Sequence, residues 1–234
     1  MIYLYYYLIS CSFVFQCYYF MDKILTYKSD RYRKLKYVKK TYVFANIVKS
    51  IILLFITPYC VIFLYNLYYG MTEELYHSIF IATSIYASTD MNSLLFEKGK
   101  KNSTIYHHIL VQLATFTAFY CGPFNKITDV IIIYGSFSTF AYLVNFYLSI
   151  RFLFEKDMYE IKLLATFTQI IYMLSCIVNW CLQFYYLVLF MTLKNYFAVF
   201  ILAFFNCVVI SDDILLINFL NNNSFMNKLK LKDI

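Results

Sequence analysis

Seven runs of mainly apolar residues make up most of this chain: 2 to 20, 43 to 69, 79 to 96, 105 to 121, 130 to 151, 163 to 192 and 196 to 218. A helix that crosses a bilayer needs about 20 such residues at about 1.5 Å each. The series therefore predicts an all-α fold, a transmembrane bundle of about seven spans. The runs at 79 to 96 and 105 to 121 are short enough to suggest a tilted or re-entrant element. Those at 43 to 69 and 163 to 192 exceed a perpendicular span and are expected to tilt or to extend beyond the lipid.

The composition points to the same solvent. Hydrophobic residues are 62% of the 234 and charged residues 14%, against about 45 to 50% and about 25% in a soluble domain. Four glycines and two prolines leave too few turn residues for a barrel of short hairpins. The first run resembles a signal peptide only superficially. Its positive charges follow the apolar stretch and no small-residue cleavage site closes it, so it reads as a retained anchor. Three parts result: an anchor helix with a basic segment at 1–39, a membrane domain at 40–220 and a tail at 221–234. The seven cysteines all fall in apolar runs, without a C-x-x-C pair, and read as small buried hydrophobes.

Lysine and arginine set the orientation. Eighteen of the 20 lie at 22 to 49, 97 to 104, 151 to 162 and in the tail; only Lys126 and Lys194 lie in the alternate loops. With seven spans this puts the N-terminus outside and the C-terminus in the cytosol. The basic 22 to 49 stretch then reads as a topology signal and a contact for anionic headgroups, with no nucleic acid as partner.

Ionisable residues inside a span are costly and point to function. Asp90, His107, His108, Asp212 and Asp213 qualify. Asp90 lies about 10 Å before the 97 to 104 loop and the histidines about 5 Å after it. Because that short loop makes the two helices antiparallel neighbours, the carboxylate and an imidazole are expected to meet in the cytosolic half. Adjacent helical residues point about 100° apart. One imidazole is therefore expected to face the interior, oriented by a carboxylate, and the other the loop or headgroups; no metal or cofactor is expected. A purely structural alternative makes the histidines markers of a helix start and Asp90 an interhelical acceptor. Asp212 and Asp213 either join a cytosolic polar cluster or sit in water past the helix end. His77, with Glu73 and Glu74, reads as an external loop residue without a role. Ser136, Ser138, Thr139 and Asn145 read as helix-packing groups.

The run YASTDMNSLLF from Tyr86, a short basic loop and then YHHILVQL from Tyr106 together resemble the TLC-domain family, the group of TRAM, Lag and CLN proteins. That family pairs an intramembrane Asp with a His-His pair opening the next helix. GSFSTFAYLVN from Gly135 is similar to the Ser-Thr and Asn element of the smaller TLC proteins. KTYVFANIVKS from Lys40 sits where members enter their first core helix, without the His usual there. The resemblance covers about residues 40 to 220. It implies a helical bundle around a cavity for lipid chains, usually in the endoplasmic reticulum. Ceramide synthases in the family transfer an acyl group from acyl-CoA to a sphingoid amine; His107 and His108 match their catalytic pair and Asp90 the preceding acid. Their second His-Asp motif has no counterpart here, since residues 130 to 151 hold no His and no acid.

Two functional classes follow. In the first, His107 or His108 is the general base of an acyl transfer to a lipid amine or hydroxyl, with Asp90 fixing its tautomer and acyl-CoA as a substrate. In the second, the same residues hold together a non-catalytic lipid sensor or trafficking protein. An ion or proton carrier is a third reading. Membrane lipids are the expected partners throughout.

Overall fold

The computed structural model describes residues 2–100, 102–155 and 158–224, and among them every regular element is helical. In chain order these are α1 (Ile2–Lys28), α2 (Asp30–Arg33), α3 (Tyr37–Tyr69), α4 (Glu73–Phe96), α5 (Asn102–Cys121), α6 (Lys126–Ser138), a 3-10 turn (Thr139–Ala141), α7 (Tyr142–Ile150), α8 (Tyr159–Thr192) and α9 (Tyr196–Asn223).

Among the described residues, four segments are long and apolar enough to cross a membrane: α3, the α6 to α7 unit, α8 and α9. α4 owes its lower hydropathy to an internal polar seam. It buries Ser84, Ser88, Thr89, Asp90, Asn92 and Ser93, and these groups face protein. Asn92 donates to the Cys11 carbonyl at 3.0 Å, Gln112 to the Ala87 carbonyl at 3.0 Å, and Tyr7 to Gln112 Oε1 at 2.7 Å. Such bonds satisfy polar groups that the bilayer would leave unpaired. The outer faces of α3, α8 and α9 carry large exposed apolar side chains such as Phe55, Val188 and Phe200, the surface expected of helices that meet lipid.

Local signals set the helix ends. Thr72 accepts from the Leu75 amide at 3.2 Å and precedes Glu73 and Glu74, so a side-chain cap and favourable dipole charges start α4. Asn125 caps α6 and Asn195 caps α9 in the same way. Gly70, at φ +130°, ends α3 in a conformation that a side chain would resist.

Several expectations change. The segments around 79 to 96 and 105 to 121 are continuous helices of 24 and 20 residues. α9 continues to Asn223, so Asp212 and Asp213 lie well inside it and the reading that left both in water fails. His77 belongs to the start of α4 rather than to a loop. Cys60 and Cys176 are buried as expected, Cys11, Cys17 and Cys121 are half-buried, and Cys181 and Cys207 face outward. Lys101, Lys156 and the basic tail with Lys228, Lys230 and Lys232 lie outside the described residues, whereas 221–223 close α9.

Cation and ring contacts gather one end of the bundle. Lys98, after α4, lies over the Tyr37 ring that opens α3, at 5.5 Å. Arg151, after α7, stacks on Phe152 and on Phe219 of α9, each at 4.7 Å.

Candidate functional site

A cavity of about 500 Å³ opens at this end, between α3, α4, α5, α6, α7, α8 and α9. Its walls are apolar at Phe137, Val144, Leu148 and Leu216, while Lys49, His107, His108 and Asp212 also line it.

Asp90, fully buried on α4, is the centre of the polar group. The Lys49 ammonium, from α3, donates to Asp90 Oδ1. His108 Nδ1 lies 2.9 Å from the same oxygen, off the line of a ring N–H bond, and its Nε2 is 3.4 Å from the Ser93 hydroxyl. A buried carboxylate needs such compensation, because desolvation of a lone charge costs several kcal/mol. The expected meeting of Asp90 with an imidazole therefore occurs, and it involves His108.

His107 turns to another helix. Its Nδ1 is 3.3 Å from Asp212 Oδ2 on α9. The two rings stand 5.7 Å apart and nearly perpendicular, at 78°. The divergence of adjacent residues is present, but its consequence differs from the expectation. α5 faces a gap between α4 and α9, so the two imidazoles straddle the gap and both line the cavity; neither is turned to headgroups. Asp90, His107 and His108 each bring one potential ligand atom within 4.8 Å of the others. That set can hold a cation, and the Lys49 ammonium already supplies positive charge beside it.

Asp213 does different work. It accepts from the Tyr172 hydroxyl at 2.7 Å and from Trp180 Nε1 at 2.9 Å, which ties α8 to α9. At the cavity rim, Lys100 donates to the Ser93 and Glu97 carbonyls and so caps the C-terminal end of α4. Burial pushes the Glu97 carboxyl above the ordinary carboxylate range, against the Ser93 hydroxyl and the Lys100 ammonium, which pull it down. Burial likewise lowers the Lys100 ammonium, against the pull of Glu97.

Of the helix-packing candidates, Ser136 and Thr139 are buried, and Thr139 bonds the Ser136 carbonyl at 2.7 Å in the turn between α6 and α7. Ser138 and Asn145 line the cavity. The residue that sequence reasoning missed is Lys49. It was counted among the cytosolic charges of 22 to 49, yet it lies twelve residues into α3 with 13% of its side chain exposed. A single charge with apolar runs on both sides was the available signal, since such a group requires a partner in the bundle.

No family model, curated protein or solved structure matches the chain.

Proposed function

We propose that this chain is a multi-pass lipid-handling protein of the TLC type, which spans an intracellular membrane such as the endoplasmic reticulum about seven times, N-terminus outside, and transfers an acyl group to a lipid amine or hydroxyl. The observation that carries this reading is the placement of two imidazoles, each beside its own carboxylate, on the wall of one cavity. Its volume of about 500 Å³ falls in the usual range of ligand pockets, and its mixed apolar and polar lining suits a lipid chain with a polar head.

His107 is the more accessible ring, with 15% of its side chain exposed against 8% for His108, and is the better base. It would take the proton of the acceptor as the acceptor's nitrogen or oxygen bonds to the acyl carbon. The bond from that carbon to the donor's sulfur breaks, and the thiolate leaves with a proton. Asp212 orients His107 in this scheme, while Asp90 and Lys49 hold His108. A carboxylate that fixes the imidazole tautomer is the usual support for such a base.

Lipid profiling of cells that express the wild type or His107→Ala/His108→Ala at equal protein level tests the proposal. A change in one lipid class that the double variant abolishes supports acyl transfer. Identical profiles in the two overturn it in favour of a lipid-sensing or trafficking role for the same bundle.

A further inference from the structure

Among the described residues, three cations line the mouth of the cavity without a carboxylate partner. Lys39, Lys98 and Arg151 come from three different segments, and all line the opening. Lys39 and Arg151 lie against one ring, Phe152, at 5.6 and 4.7 Å from its centroid. Arg151 also stacks on Phe219, and its Nε donates to the Leu148 carbonyl at 3.2 Å. Lys98 lies over Tyr37. Among the described residues, none of the three mouth cations forms an ion pair within 4.0 Å, whereas Arg33, Lys49 and both helix-opening histidines lie beside carboxylates.

The acids that reach the same cavity are engaged elsewhere. Glu97 accepts from Ser93 at 2.7 Å, Asp213 from Tyr172 and Trp180, and Asp212 faces His107. Like charges gathered at one opening repel one another, and aromatic rings offset only part of that cost. No acid among the described residues offsets the rest of it.

We infer that the mouth binds a phosphate-bearing ligand whose apolar part enters the cavity, and that it rejects a free protonated amine. Arginine and lysine are the side chains that meet phosphate oxygens with charge-assisted hydrogen bonds. This deepens the acyl-transfer reading, on which it rests for the chemistry, by making the acceptor a hydroxyl on a phosphate-bearing lipid. A lipid with a bare amine headgroup would have to pass three cations to reach His107.

The test uses the purified full chain in neutral micelles. The probes are dioctanoyl phosphatidic acid as a lipid phosphate, inorganic pyrophosphate as a soluble one, and octylamine. The mouth variant is Lys39→Gln/Lys98→Gln/Arg151→Gln. A control of equal charge loss, Lys28→Gln/Arg31→Gln/Lys34→Gln, removes basic residues from the α1 to α2 end. The expected result is saturable binding of phosphatidic acid that weakens about tenfold or more in the mouth variant, the scale of one lost charge-assisted contact. The control keeps wild-type affinity and octylamine does not compete. Competition by pyrophosphate then identifies the phosphate alone as sufficient; its failure assigns the site to a lipid headgroup with its chains.

Equal weakening in the control and mouth variants, or competition by octylamine, overturns the proposal and leaves general surface attraction. If the mouth variant unfolds, protection of Lys39 and Lys98 from amine-reactive labelling by phosphatidic acid in the wild type decides, and unchanged labelling overturns it. Binding that persists while the lipid profile is indifferent to His107 and His108 removes acyl transfer and keeps the site. A histidine-dependent profile with no phosphate binding does the reverse.

Discussion

The Lys49 ammonium and His108 Nδ1 address the same oxygen of Asp90, one by a hydrogen bond and the other at 2.9 Å. Three helices are thereby joined at a single carboxylate, which has no exposed surface. The charge that would make Asp90 intolerable in a membrane interior is offset by Lys49, and the offset leaves His108 held at the cavity wall.

Breaking that pair from one side strands a buried charge. Lys49→Met and Asp90→Leu should each destabilise the protein by roughly 3 to 5 kcal/mol, whereas Lys49→Met/Asp90→Leu should recover most of the loss, because well-packed apolar pairs often replace buried ion pairs at little cost. Thermal unfolding in micelles, followed by circular dichroism, measures the cycle. Additive single effects, with no recovery in the double variant, would show that the two side chains do not act as a pair.

The two histidines should respond differently because each has its own carboxylate. If His107 is the base, His107→Ala should lower the rate of lipid modification by about 10²- to 10⁴-fold at unchanged protein level, and Asp212→Asn should follow it in direction. His108→Ala and Asp90→Asn should form a second group, marked by lost stability. Losses of only about twofold from His107→Ala would rule out the base role. Equal and complete losses from both alanine variants in stable protein would mean that both rings take part in the chemistry.

What could be read in advance depended on sequence separation. Asp90 and the histidines are joined by one short loop, so antiparallel packing and a rise of about 1.5 Å per residue brought them together on paper. Asp212 is more than a hundred residues from His107, and nothing in the order of apolar runs says that α9 lies beside α5. Lys49 falls inside the 43 to 69 run and at the same time among the charges of 22 to 49, and charge counting alone groups it with its basic neighbours. The contact with Asp90 shows where α3 carries that charge. The diverging histidines were correctly described as a helix property, but the sequence could not show that the second direction leads to another helix.

Glu97 gives the site a pH dependence with a definite sign. Its carboxyl holds a proton more tightly in the folded protein than in the unfolded chain, because burial raises it. Its contribution to stability is therefore complete below the ordinary glutamate range and is lost as pH rises through the raised value. The wild type should lose stability across that window. Glu97→Gln keeps an acceptor for the Ser93 hydroxyl and should flatten the curve. A steeper curve in the variant would contradict the burial argument.

Under the proposed topology, the 22 to 42 and 97 to 104 segments and the tail face the cytosol. The sequons at Asn102-Ser103-Thr104 and Asn222-Asn223-Ser224 should then carry no glycan, and a glycan on either would invert the arrangement. A stronger check extends the 122 to 125 loop between α5 and α6 with a spaced acceptor site. Glycosylation there, assessed by a shift in gel mobility removed by an endoglycosidase, is the expected outcome; its absence together with modification at Asn102 would reverse the orientation.

Asp213 offers a direct optical readout, since Trp180 is the only tryptophan of the chain and donates to its Oδ2 at 2.9 Å. Asp213→Leu removes the acceptor for both Trp180 and Tyr172 and leaves two donors unpaired between α8 and α9. At about 1 to 3 kcal/mol for each stranded group, the variant should lose roughly 2 to 6 kcal/mol. Asp213→Asn retains one acceptor oxygen and should lose about half as much. Trp180 emission should change in both variants, and denaturation followed by that emission gives the stabilities. Unaltered emission and stability in Asp213→Leu would mean that α8 and α9 are held by apolar packing alone, with the Asp213 bonds contributing nothing measurable.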